Sequence, residues 1–104
     1  MKAYLFSYGT LQEDHIQLML FGEVLQTQVD SLEGYVTLND YFGYPRLVEF
    51  ERGIVYGKVL EIDETEIPLV DSYESEAYEK KIVETSKGRQ VYVYFPSRKL
   101  IKNK

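Results

Sequence analysis

The sequence predicts an α+β domain in which a small mixed, mostly antiparallel β-sheet curls into a barrel with short helices at its side. Three observations carry this expectation. Short apolar segments with period-two alternation follow one another along the chain, separated by turns containing Gly, Asp or Ser. Two segments, near 13–21 and 67–73, show helical spacing instead. No linker, repeat or low-complexity stretch interrupts the 104 residues, so 1–104 reads as one domain. A chain of this size can bury roughly 60–70% of its unfolded surface.

Tyr4 begins an apolar run, Leu5-Phe6-Ser7-Tyr8, that reads as a buried first strand. It stops at Gly9, a residue free to take positive φ, and a turn there leaves backbone N–H groups without ladder partners. Ile16, Met19 and Leu20 then form a helical stripe within 13–21, with Asp14 as the expected N-cap and Gly22 as the stop. Val24 to Val29 alternates as a strand, and Gly34 to Leu38 is the next. Tyr41-Phe42-Gly43-Tyr44-Pro45 is an aromatic loop whose shape Pro45 restricts; it either caps the core or lines a pocket. Leu47 to Phe50 reads as a short strand, Glu51-Arg52-Gly53 as a turn, and Ile54 to Ile62 as a long strand. Gly57 inside that strand predicts a bulge or the close approach of another backbone. Asp63 caps a helix marked by Ile67, Val70 and Tyr73, with Pro68 in its first turn. Glu79 to Thr85 and Arg89 to Phe95 form a hairpin through Ser86-Lys87-Gly88. The tally is about seven strands and two short helices.

Composition excludes several classes. The chain has no cysteine, which removes disulfides, thiolate catalysis and cysteine metal sites. His15 is the only histidine, too few for a typical zinc site, and is expected at the surface. No metal and no cofactor is expected. No apolar run reaches the length of a membrane span, and Met1-Lys2 leads straight into the first strand without a signal-peptide pattern, so no membrane partner and a cytoplasmic location are expected. Net charge is −5, with hydrophobic residues at 44% and charged residues at 28%. Arg98, Lys99, Lys102 and Lys104 hold four of the twelve basic residues, leaving eight against seventeen acidic ones, so the body sits near −9. Such a surface repels phosphate backbones and argues against nucleic acid as a partner. Residues 98–104 read as a frayed basic tail. Oligomeric state is not legible.

One stretch besides Gly9 can carry chemistry. Asp71, Glu74 and Glu76 are three carboxylates within six residues, beside Tyr73 and Tyr78. They form either a solvated acidic loop or a site in which one carboxylate faces inward, where desolvation raises its pKa and makes it a general base near neutral pH.

Tyr8-Gly9-Thr10-Leu11, Tyr44-Pro45 with Leu47, Ile54-x-x-Gly57, Asp71-x-Tyr73-Glu74-x-x-x-Tyr78 and Val91-Tyr92-Val93-Tyr94 occur in that order. Over roughly residues 4 to 95 the set resembles the gamma-glutamylcyclotransferase-like family, which includes AIG2-like and butirosin-pathway cyclotransferase proteins. The resemblance implies a compact barrel with flanking helices and a cavity at one end. It also implies that Tyr8, Gly9, Thr10 and Leu11 hold a small-molecule gamma-glutamyl substrate, that Glu74 is the catalytic acid/base, and that Tyr78 supports it. The implied reaction releases 5-oxoproline and an amine, and the Gly9 turn and Glu74 then face one cavity. Two positions depart from the pattern: Ser75 stands where Gly often follows the glutamate, and Lys80 where Arg is frequent, which leaves the identity of the leaving amine open. The alternative is a non-catalytic small-molecule-binding or interaction domain on the same fold; a different hydrolase or transferase using the same base is a third reading.

Overall fold

Five strands form one curled sheet in the computed structural model, which describes residues 1–39, 45–75 and 78–96. Strand β1 is Lys2–Ser7, β2 Thr27–Asn39, β3 Pro45–Asp63, β4 Tyr78–Glu84 and β5 Gln90–Pro96, in the spatial order β2-β3-β1-β5-β4. All neighbours are antiparallel except β1 and β5, which run parallel where Leu5 faces Tyr92. The α+β class with a mixed, mostly antiparallel sheet is therefore what the chain adopts. Helix α1 (Asp14–Phe21) and helix α2 (Ile67–Glu74) lie on one side of the sheet.

Over residues 5–7 of β1 and 91–94 of β5 both faces are largely buried, as their apolar runs require. Ala3, Leu5, Leu60, Ile62 and Tyr94 point toward the helices and meet Leu11 and Val70. Phe6, Val59, Val91 and Val93 point the other way, into the hollow of the curl, where Leu32, Leu47 and Val55 close over them. Tyr35 of β2 reaches across that hollow to Phe95 of β5, with ring centroids 5.6 Å apart. Edge strand β4 is mostly exposed and carries Glu79, Lys80 and Lys81, charges that discourage pairing with another chain.

The number of strands differs from the expectation. The two short segments expected at Val24–Val29 and Gly34–Leu38 are one strand that begins at Thr27, and Leu47–Phe50 and Ile54–Ile62 are likewise one. The reason is a corner. Glu33 pairs with Ile54 but Tyr35 pairs with Glu49, so Gly34 alone stands opposite Phe50 to Gly53. Gly34 takes φ +90 and the ribbon bends there without ending. The residues Glu51-Arg52-Gly53, expected as a turn, are the long side of this bulge. A Cβ on Gly53 would lie 2.2 Å from the Tyr35 carbonyl oxygen, so its glycine serves close strand approach.

Gly57 fulfils the same expectation at the centre of the sheet: a Cβ there would lie 2.2 Å from the Ser7 carbonyl oxygen. Gly22 ends α1 in the left-handed conformation (φ 77), its N–H donating to the Leu18 carbonyl, as expected. Asp14 is not the N-cap; Glu13 holds that position and Asp14 is the first helical residue, its carboxylate at the positive end of the helix dipole. Asp63 caps the short 3₁₀ turn Glu64–Glu66 that leads into α2, in a reciprocal box with Glu66. The hairpin strands are each displaced by one residue from the expected bounds, and Gly88 (φ 83) shapes the turn between them. The aromatic residues Tyr41 to Tyr44 and the basic tail lie outside the described residues.

A buried carboxylate fastens the curl. Asp30 of β2, 3% exposed, accepts hydrogen bonds from the Ser31 N–H (2.8 Å), the Lys87 N–H (3.3 Å) and Arg89 Nη1 (2.9 Å). Beside it the Ser86 N–H donates to the Ser31 carbonyl at 2.8 Å. The β4–β5 hairpin turn is thereby clasped to the far edge strand.

Candidate functional site

Strand β1 delivers Tyr8 and Gly9 to the end of the sheet near the C-terminus of α2. The chain turns at Gly9 with φ −133, so the turn is made without the positive φ that glycine permits. Thr10–Gln12 follow as one 3₁₀ turn, closed by the Gln12 N–H and Nε2, both donating to the Gly9 carbonyl (3.2 and 3.1 Å). The opening residues of a helical turn have N–H groups with no intrahelical acceptor, and here those residues are Thr10 and Leu11. Leu11 is buried in the core and anchors the turn from below.

The turn is also fixed from behind by Gln17, a fully buried side chain of α1. Its Nε2 donates to the Leu11 carbonyl at 2.9 Å, and its Oε1 accepts from the Leu25 N–H at 2.9 Å. A glutamine inside a short amphipathic helix gives no sequence signal of this role; only the chain's return past α1 creates it.

The last turn of α2 faces this loop. Thr10 Oγ1 and the Tyr73 hydroxyl share a hydrogen bond of 2.5 Å, which joins the two predicted stretches directly. Tyr8 donates its hydroxyl proton to the Tyr94 carbonyl at 2.6 Å. The Tyr94 hydroxyl in turn donates to Asp71 Oδ1 at 2.5 Å, and Lys80 Nζ stands 3.4 Å from the same oxygen. Lys80 also sits over the Tyr92 ring, 5.2 Å from its centroid.

Glu74 is the electrostatic centre of this group. Burial pushes its carboxyl up from 4.5 to about 7. Its position as the last residue of α2, near the negative end of the helix dipole, acts in the same direction. Burial likewise raises the Tyr8 phenol, and nearby Tyr78 and Glu74 raise it further. The Tyr94 phenol is raised by burial, then by its bond to Asp71 and the charges of Asp71 and Glu74. Tyr8, Tyr78, Glu74 and Tyr94 therefore share one electrostatic neighbourhood, next to the Gly9 turn.

After Glu74 the helix stops abruptly. Ser75 has φ 65 and ψ −171, a backbone region that is almost exclusively glycine's, while its N–H still donates to the Asp71 carbonyl at 2.9 Å. Glu76, third of the predicted carboxylates, lies outside the described residues. His15 is exposed and 3.5 Å from Glu13 at the N-terminal end of α1. Two open concavities of about 220 and 370 Å³ among the described residues involve neither the Gly9 turn nor Glu74; Tyr4, Ile82 and Tyr92 line the first, Val24 and Ile62 the second. No group of three or more metal-binding side chains occurs among the described residues, and no described helix is long and apolar enough to cross a membrane.

Chemically, a carboxyl near neutrality next to orphan N–H groups and phenols can exchange protons with a bound amine while donors hold an anion or carbonyl.

Comparison with known proteins bears on the family and the fold. A family model described as gamma-glutamyl cyclotransferase, AIG2-like, matches residues 5–104. A search of curated proteins returned no match. Among solved structures, a solution structure from Arabidopsis thaliana superposes with a TM-score of 0.82 at 24% identity, covering 95% of this chain and 64% of that one. The chain thus spans about two thirds of that relative. A structure titled gamma-glutamyl cyclotransferase gives 0.70 at 14% identity, covering 93% and 68%. An AIG2-like protein from Mus musculus gives 0.63 at 21%, covering 90% and 76%. At these identities the structural likeness speaks for the fold.

Proposed function

The chain belongs to the gamma-glutamyl cyclotransferase, AIG2-like family, and from that premise we propose that it cyclises a gamma-glutamyl amine or peptide, releasing 5-oxoproline and an amine. The reading rests on one observation above others: Glu74, buried enough to titrate at about 7, beside the turn that carries Tyr8 to Leu11.

The substrate's α-ammonium is not nucleophilic until it loses a proton. Glu74 in its ionised form takes that proton, and the free amine attacks the γ-carbonyl carbon to close a five-membered ring. The tetrahedral oxygen gains negative charge as the new C–N bond forms. Collapse breaks the bond to the leaving nitrogen, which receives the proton from Glu74, while the ring nitrogen sheds its second ammonium proton to solvent. One carboxyl serves both transfers, and a pKa near the working pH suits a group that must accept and then return a proton. The N–H groups of Thr10 and Leu11 are the donors for the substrate carboxylate or the oxyanion. Bringing nitrogen and carbon to about 3–3.5 Å supplies the entropic part of the acceleration. Tyr8 and Tyr78 flank the carboxyl, and no step needs a cofactor.

The test is incubation with a panel of gamma-glutamyl amines and peptides, with 5-oxoproline as the readout. Product from wild type and none from Glu74→Gln supports the reading. Binding of the panel without product from any member would instead support the non-catalytic binding domain.

A further inference from the structure

Helix α2 has eight residues, too few to hold itself together in water, so its last turn keeps its place through tertiary contacts. Two are visible near its end. Tyr73 is tied to Thr10 of the Gly9 turn. Asp71, one turn before Glu74 on the same helix face, is tied to the Tyr94 hydroxyl of β5, and its own carbonyl accepts the Ser75 N–H. The same Tyr94 offers its backbone carbonyl to Tyr8. One residue of a central strand thus holds the helix end with its side chain and the site tyrosine with its main chain.

We propose that Asp71 is a positioning residue for Glu74, fastening the last turn of α2 to β5 through Tyr94 so that the Glu74 carboxyl stays packed beside Tyr8. This role in catalysis rests on the proposed cyclisation; the positioning itself does not. Lys80, on β4, approaches the same Asp71 oxygen (3.4 Å) and stacks over Tyr92, so the carboxylate cannot swing away from Tyr94 without losing a second partner. The titratable and charged groups around Glu74 are Tyr8, just past the end of β1, and Tyr94 on β5, whose phenols feel its charge, Tyr78 on β4 beside Tyr8, Asp71 and Tyr73 on its own helix, and Lys80 on β4 against Asp71. A frayed α2 terminus admits water to Glu74 and lowers its titration midpoint toward that of an ordinary carboxyl.

The experiment uses the full chain and two single variants, Asp71→Ala and Tyr94→Phe, with their double variant. Carbon-13 NMR of labelled glutamate carboxyls follows the Glu74 midpoint, assigned by its disappearance in Glu74→Gln. Both single variants are expected to lower the midpoint by about one unit or more, and the double variant to do no more than either alone, as for residues acting through one bond. Turnover should fall on the order of ten- to a hundredfold, mostly in kcat, as misplacement of a reacting group by fractions of an ångström does. An unchanged Glu74 midpoint in folded Asp71→Ala overturns the proposal, as do additive effects in the double variant. Wild type that makes no 5-oxoproline, with the midpoint shifts still present, would sink the cyclisation reading and leave the positioning role standing.

Discussion

Glu74 is held where its charge is least welcome, and that sets a cost that can be measured. With a midpoint of about 7 in the fold against an ordinary 4.5, the native state retains a proton that the unfolded chain releases. The stabilisation this provides is complete below pH 4.5 and is lost as pH rises through 7. At pH 8 the buried anion costs on the order of 1–3 kcal/mol, below the full conversion because the residue is only partly buried. Glu74→Gln should therefore be more stable than wild type at pH 8 by about that amount and equal to it near pH 4.5; urea unfolding of both proteins at the two pH values measures the difference. If Glu74 is the base of the proposed cyclisation, the same midpoint places the rising limb of the rate profile near pH 7, since the base must be ionised to take the first proton. The neighbouring residue carries strain of its own. Ser75 occupies φ 65, ψ −171, where a side chain costs on the order of 1–3 kcal/mol, and glycine costs nothing sterically. Ser75→Gly should raise the unfolding free energy by about 1 kcal/mol after its larger unfolded-state entropy is allowed for, seen as a higher urea midpoint with unchanged slope.

Among the elements, the hairpin clasp shows what long-range partners do to a charge. Burial alone would raise the Asp30 carboxyl; bonds from Thr85, the Ser31 N–H, Arg89 and the Lys87 N–H together outweigh it and hold the group below its usual 3.8. That stability is present above pH 3.8 and disappears as pH falls through the lowered value. Arg89→Met leaves the carboxylate buried with its neutral donors only and should cost about 1–3 kcal/mol at pH 7, less than breaking a fully buried pair because the Arg89 side chain is 35% exposed. Guanidinium chloride unfolding would read the loss poorly, since the salt screens the pair; urea reads it directly. None of this clasp was legible in the sequence, where Asp30 stands among polar residues between two strand-like runs. Period two identified the strands around it, and the i, i+3 stripes and Gly22 identified the helices, because those signals depend on neighbours in the chain. The sequence places a break before Gly34 and a turn at Glu51-Arg52-Gly53 for the same reason: a bulge differs from a turn only in whether the partner strand continues alongside. In the candidate site, Glu74 and the Gly9 turn stand out in the sequence as motifs. Gln17, Asp71's bond to Tyr94 and Tyr94's two-sided role do not, since each exists only when separate elements meet.

The whole molecule couples these pieces through the centre of its sheet. Gly57 of β3 lies against the Ser7 carbonyl, and Ser7 is the residue from which the Gly9 turn departs. The same glycine pairs with Asp30 across β2, so one position links the end of β1 to the strand that carries the clasp. A methyl group at Gly57 would sit 2.2 Å from that carbonyl oxygen and 2.8 Å from Phe6 Cζ, and backbone on one side and a buried ring on the other leave little room to yield. Gly57→Ala should therefore separate β1 from β3, cost on the order of 1–3 kcal/mol or more, and move the Gly9 turn relative to α2. Gly34→Ala makes the contrast. It places its methyl in open space at φ +90, so it costs about 1 kcal/mol for the left-handed backbone and leaves the site alone. Measured together, the two variants separate stability from site geometry: both should unfold at lower urea concentration, but only Gly57→Ala should shift the Glu74 midpoint and reduce turnover in conditions where the protein is still fully folded. Equal effects of the two on Glu74 would mean that general loosening, not the β1–β3 contact, governs the site.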